Sequence, residues 1–376
     1  MNLADMLSFA DIHQLSRIAD HYECECSSHS KNELIQNILS RMSRKEVFEQ
    51  NLLNLTIEDI RFLNSLLFDP RQSFSLEELT ARASQSRFDK EKDEKWNPRE
   101  VITKFRHYGW LFNGHSHHTK YLFQLPEDLK QRFEGTLARH FEQKIHLLDG
   151  EPGAYRDEQG LLAEDIYQFL HYLYQQEVDV TAEGTMYKRS QQHIMDRFAV
   201  REELVGRVGV RFGYGRKFKD YPNRFSFIYD YCYYNHLIQE NGLKLTLTEL
   251  GAERIQSGRK EDVLDIYKFW LRLYKGPVPN IASIVHWVNR LSTSSWIALS
   301  SIMEVLLPLV KPFYYDTQES VFQLRILQMM MHLGLLRIGE DESSGTVIKM
   351  TKLGSSIVRG VYVADEERIE IPVDNG

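Results

Sequence analysis

The sequence predicts a mainly helical α+β chain: a small helical unit followed by three related modules, each closed by a short β wing. Two observations predict it. A phrase recurs: residues 243–255 read LKLTLTELGAERI, residues 348–358 read IKMTKLGSSIV, and HYGWLF at 107–112 followed by YLFQLPEDLKQRF at 121–133 is a looser copy. The first two copies each follow a His-Leu pair, His236-Leu237 and His332-Leu333. Between the copies, apolar residues repeat at the spacing of amphipathic helices rather than in strict alternation. The 376 residues suffice for several cores, and the expected boundaries are 1–53, 54–147, 158–275 and 276–376.

The N-terminal unit is expected to hold two helices. Phe9, Ile12, Leu15 and Ile18 predict one over 8–21. After the polar break ECECSSHS, Leu34, Ile35, Ile38 and Leu39 predict another, with Ser30 as N-cap and Glu33 three residues on. This helix–extension–helix pattern resembles the SAP module, a family that usually binds nucleic acid; a plain helical cap is the other reading.

Residues 56–133 read as a winged helix. Thr56 caps a helix through Leu67, with Glu58 and Asp59 in the first turn, where the helix dipole favours acids. Ser73-Phe74-Ser75 is expected as a short strand and Leu76–Ala83 as the second helix. After the charged loop DKEKDEKW, Pro98 is suited to start the third. NGHSHHT forms the hairpin tip and Tyr121-Leu122-Phe123 the returning strand. On a helical wheel, Val101, Ile102, Phe105 and Tyr108 share one side of the third helix, and Arg99, Thr103, Arg106 and His107 the other. That polar side is either a reader of the DNA major groove or a solvated face of a protein-binding module.

HLLDGEPGAYRDEQG, within 134–160, reads as a linker. Leu161–Tyr174 is then amphipathic. The phrase Val180-Thr181-Ala182-Glu183-Gly184-Thr185-Met186-Tyr187-Lys188-Arg189, the later LTLTELGAERIQSG and the helix ending in Phe269-Trp270 resemble the bacterial helicase-associated family, akin to the N-terminus of XPB-type helicases. The resemblance spans roughly residues 55–360. It implies tandem winged helices and a role near nucleic acid, and it implies no motor, because G-x-x-x-x-G-K-[ST] is absent from the sequence.

Charge separates the modules. The net charge is −7, yet Gly184–Arg224 carries ten Lys and Arg against four acids, a local +6 that leaves −13 elsewhere. Such a segment creates a local attractive field. Lys188, Arg189, Arg197, Arg207, Arg211, Arg216, Lys217 and Lys219 are the expected phosphate contacts, which supply affinity without sequence specificity. Seven of the fourteen residues from Tyr221 to Tyr234 are aromatic, either stacking bases of a single strand or forming the module core. In the third module, Ile297–Val310 is strongly apolar, and the helix Gln318–Leu333 shows Arg325, Gln328 and His332 as a polar stripe; Arg325 and Gln328 join the candidate contacts. The wing tip GEDESSGT and the tail ADEERIEIPVDNG are acidic, which suits a protein partner better than DNA.

Catalysis and cofactors are not expected. Cys24, Cys26 and His29 lack the spacing and the second pair of a zinc site. His115, His117 and His118 sit on a hairpin tip, as solvated groups or phosphate contacts when protonated. Gly206, Gly209, Gly213 and Gly215 lack the strand–loop–helix frame of a dinucleotide site. No nucleophile–base or paired-carboxylate arrangement stands out. The start MNLADMLSFADIHQ has no basic, apolar leader, three cysteines make no disulfide framework, and no apolar run reaches the membrane-spanning length of about 18 residues. The expected protein is therefore a cytoplasmic, non-enzymatic nucleic-acid binder, DNA before RNA, without metal or cofactor. The alternative is an adaptor that holds a helicase, polymerase or regulatory partner.

Overall fold

The computed structural model describes residues 1–25, 30–88, 96–206, 211–364 and 367–370. It is mainly helical with small antiparallel sheets, the α+β class expected. Cα packing divides the chain into two compact units, Met1–Gln143 and Lys144–Gly376. The segments expected as 158–275 and 276–376 fall together in the second.

The first unit opens with α1 (Leu3–Phe9), α2 (Ile12–His21), α3 (Lys31–Ser43) and α4 (Lys45–Leu53). The single helix expected over 8–21 is two. Asp11 accepts from the Gln14 N–H and so caps α2, which ends α1 one turn earlier and leaves Phe9 exposed instead of on the buried face. Ser30 caps α3 through the Glu33 N–H as expected. Next come α5 (Ile57–Leu67), α6 (Leu76–Ser86) and α7 (Pro98–His107), then β1 (Phe112–Asn113), β2 (Phe123–Gln124) and α8 (Glu127–Glu142). Thr56 and Asp59 form a reciprocal capping box at α5. Ser75 and Glu78 do so at α6. Asn97 caps α7, with Pro98 at the first helical position. The strand expected at 73–75 is reduced to one bridge, Phe74 to Phe123. Trp110 is fully buried, edge-on to Phe105 at 5.3 Å and to Phe133 at 4.7 Å.

The second unit contains β3 (Ala154–Arg156), α9 (Leu161–Gln175), β4 (Val178–Asp179), α10 (Lys188–Arg197), α11 (Asn223–Tyr234), β5 (Ile238–Asn241), β6 (Lys244–Leu247), α12 (Glu249–Gln256) and α13 (Val263–Tyr274). It continues through α14 (Ile281–Ser292), β7 (Ile297–Ala298) and α15 (Leu299–Leu306), then a helical run from Gln318 to His332, β8 (Leu336–Asp341), β9 (Gly345–Met350) and a helix at Lys352–Gly360. One sheet has the order β4-β6-β5 and the other β3-β8-β9-β7.

The expected linker is a correction. Leu148 N–H donates to the Trp296 carbonyl at 2.9 Å, and Ala154–Arg156 forms the edge strand beside β8. Glu158 is buried. Gly, Pro and charge mark turns here, and the short strand between them lies below the length at which alternation becomes visible.

The same order of helix, strand, helix, helix and hairpin occurs three times: from α5, from α9 and from α14. Its closing turn is also shared. The third helix ends at a residue of left-handed backbone, Gly109 (φ +65°), His236 (φ +56°) or Gly334 (φ +72°). The next N–H, of Trp110, Leu237 or Leu335, then reaches back to the carbonyl of Phe105, Cys232 or Met330. His236 therefore matches Gly334, and the two His-Leu pairs of the sequence are out of register. After the hairpin, Thr248 and Thr351 cap the following helix: each hydroxyl accepts from the N–H of Gly251 or Gly354 and donates to the carbonyl of His236 or Gly334. A Cβ on Gly251 would lie 2.1 Å from the Leu237 carbonyl oxygen, and one on Gly354 2.3 Å from that of Leu335. The recurring Thr-Leu-Gly phrase is thus a latch. In the first copy Pro126 stands at the cap, with no side-chain acceptor.

Candidate nucleic-acid interface

Helix α7 buries Val101, Ile102 and Phe105 and turns Arg99, Glu100 and Thr103 to solvent. Thr103 donates its hydroxyl back to the Arg99 carbonyl at 2.9 Å. Between α2 and α7 runs an open groove of about 490 Å³, lined by Arg17, His21, Glu100, Thr103, Lys104, His107 and Tyr108. Arg17 is exposed, whereas Lys104 Nζ is paired with Asp59 Oδ2 at 2.5 Å. The His21 ring stacks on Tyr108 with centroids 4.0 Å apart, and burial pushes its pKa down, so it is neutral at pH 7. Arg106, expected on the reading face, leans toward the hairpin: it lies over the Phe123 ring and reaches Asn113 Oδ1 at 3.5 Å. Sequence reasoning missed Arg17; its place on the polar side of α2 was the available signal.

The corresponding helices of the other two copies are more deeply buried. In α11 the nine residues Arg224–Cys232 are all buried. Of the aromatic run, Tyr221, Phe225, Phe227, Tyr229 and Tyr231 form core, and Tyr233 and Tyr234 are half-buried. Arg224 lies between Asp165 and Glu158, fully buried with both, and Glu158 Oε2 also meets His332 Nδ1 at 2.8 Å. Burial opposes the Glu158 charge, but His332, Arg224 and Arg156 outweigh it and hold its pKa below the usual range. Asp165 is pushed up by burial despite Arg224.

The helical run Gln318–His332 carries the correction for its stripe. Val321–Leu327 is π-helical, so a wheel drawn at the α period misplaces the residues around it. Arg325, expected as a contact, is buried and paired with Asp316 at 2.8 Å, and it donates to the Phe212 carbonyl at 2.8 Å. His332 is buried, Gln328 half-buried and Leu324 exposed.

The basic segment divides in two. Lys188, Arg189, Arg197, Arg201 and Lys219 are exposed. Lys188 Nζ donates to the Val205 carbonyl at 2.9 Å, and Arg197 to Gln175 at 2.9 Å. Lys217, expected as a phosphate contact, is instead interior, its ammonium on the Glu183 carbonyl. Arg216 lies over the Tyr233 ring at 3.8 Å and 3.5 Å from Glu240. Arg211 is half-buried and donates to Asn223 at 2.6 Å. Arg207 lies outside the described residues, as do Cys26 and His29. Composition counted these cations equally; their partners lie far along the chain or in backbone, which charge counting cannot see.

Among the described residues, no group of three or more His, Cys, Asp or Glu is placed to hold a metal ion, and no helix is long and apolar enough to cross a membrane. Comparison of the chain with protein families, curated proteins and solved structures yields no match.

Proposed function

We propose that the chain is a non-enzymatic, cytoplasmic nucleic-acid-binding protein, DNA before RNA, whose three repeated segments are tandem winged helices. The observation that carries this reading is the open polar face of α7, Arg99 and Thr103, at the third-helix position, which enters the major groove in helix-turn-helix proteins. The exposed cations of α10, Lys188, Arg189 and Arg197, support it as phosphate contacts.

A salt-dependent mobility-shift assay on the full chain tests it. Arg99→Glu with Lys188→Glu and Arg189→Glu is expected to weaken binding at least about tenfold and to flatten the salt slope by roughly one per lost contact. A chain that binds neither duplex nor single strand at low salt would remove the proposal.

An adaptor role is the second reading. The acidic hairpin tip around exposed Glu340 and Glu342 repels phosphate and favours a basic surface on a helicase, polymerase or regulatory protein. Co-purification after nuclease treatment separates the two: a partner retained without nucleic acid supports the adaptor.

A further inference from the structure

Two adjacent tyrosines stand out from the folded surface: Tyr314 is 70% and Tyr315 79% exposed. They form the tip of a tight turn closed by reciprocal backbone hydrogen bonds between Phe313 and Asp316, at 3.0 and 2.9 Å. Tyr314 holds φ +50°, a left-handed backbone in which a bulky residue is an outlier. Strain of this kind persists where surrounding structure over-determines it, and it clusters at functional sites. The surroundings here do over-determine it. Asp316 is fixed by the buried Arg325, which also holds the Phe212 carbonyl. The Phe212 ring lies 5.6 Å from that of Tyr315 and 6.1 Å from those of Tyr314 and Phe313. Arg325 itself sits in the π-helical stretch, another feature frequent at functional sites.

We propose that the Tyr314–Tyr315 tip is a stacking platform for unpaired bases of a single-stranded nucleic acid. The proposal rests on the nucleic-acid reading above and deepens it. Exposed aromatic faces on a rigid base are what sequence-tolerant stacking requires, because every base offers a π face. Local charge is compatible with a nucleic acid. Arg211 precedes the backing Phe212, Lys311 precedes the turn, and the adjoining carboxylate, Asp316, is paired with the buried Arg325.

The test is fluorescence anisotropy on the full chain, with a labelled oligothymidine of about 20 nucleotides and a duplex of about 20 base pairs. Tyr314→Ala with Tyr315→Ala is expected to weaken single-strand binding at least about tenfold and leave duplex binding within about twofold; Tyr314→Phe with Tyr315→Phe keeps both. Photocrosslinking of the unaltered chain to a bromouridine oligonucleotide should label the peptide containing Tyr314 and Tyr315, a readout that does not depend on how the variant folds. Single-strand binding unchanged in the alanine variant, or crosslinks confined to other peptides, overturns the platform while leaving the nucleic-acid reading intact. Failure of the unaltered chain to bind either probe overturns both. Loss of a protein partner in the alanine variant, with oligothymidine affinity unchanged, would overturn the platform in favour of a protein contact.

Discussion

Helices α7 and α11 occupy the same place in two copies of one arrangement, and their chemistry is opposite. Ten residues before the left-handed residue, α7 has exposed Arg99 and α11 has buried Ser226. Six residues before it, α7 has exposed Thr103, and α11 has Asp230, buried, with its carboxylate accepting the Arg216 N–H at 3.1 and 3.3 Å. The turn that ends the two helices is the same. The lesson is that the turn and its hairpin specify the chain path, while the helix face is left to be solvated or covered. A repeat therefore marks architecture, and exposure decides which copy can touch a ligand.

The sharpest way to break this comparison is to remove one arginine from each helix. Arg224→Ala takes the buried counter-ion from Asp165 and one of the partners from Glu158 and is expected to cost about 3–5 kcal/mol in denaturant unfolding. Arg99→Ala, on the solvated face, should stay within about 0.5 kcal/mol. Equal costs would mean that α7 is covered too.

The shared turn is tested next. Gly354→Ala drives a Cβ into the Leu335 carbonyl and should lower stability by about 3 kcal/mol, seen as a fall in the melting temperature, with Gly251→Ala similar. A neutral Gly354→Ala would show that the latch yields easily and is no constraint on the path.

The smallest effect concerns Asp230, whose carboxyl burial pushes up to about 7. A carboxyl raised above its unfolded value near 4 favours the protonated folded state, so stability is lost as pH rises from about 4 to 7 and is flat above. Between pH 5 and 8 the unfolding free energy should fall by on the order of 2 kcal/mol on this account, and Asp230→Asn should flatten that fall. An identical pH profile in the variant would place the titration elsewhere.

The features legible in the sequence are those whose cause is local. Ser30, Thr56 and Pro98 start helices through contacts within one turn, so their residue types suffice. Thr248 and Thr351 were visible as a repeat for the same reason, although their hydroxyls also bind the carbonyl two elements back. The missed features depend on distant partners. Glu158 lies in a Gly- and Pro-rich stretch that reads as a linker until β8 supplies its pairing. Lys217 and Arg325 read as surface cations until Glu183 and Asp316 engage them. On α7 Val101, Ile102 and Phe105 are buried and Thr103 is exposed, whereas Tyr108, expected on the apolar side, lines the groove and Arg106 is drawn aside by Phe123 and Asn113.

Glu158 has one further consequence. Its carboxylate touches Arg224 from the second copy and His332 from the third. Opening either copy alone would take one buried partner away from the Glu158 carboxylate, at a cost in free energy. Repeat arrays ordinarily lose their elements one at a time, because each contacts only its neighbours through replaceable apolar surface. Here a single acid couples two copies, so the second and third copies should melt together in one cooperative transition.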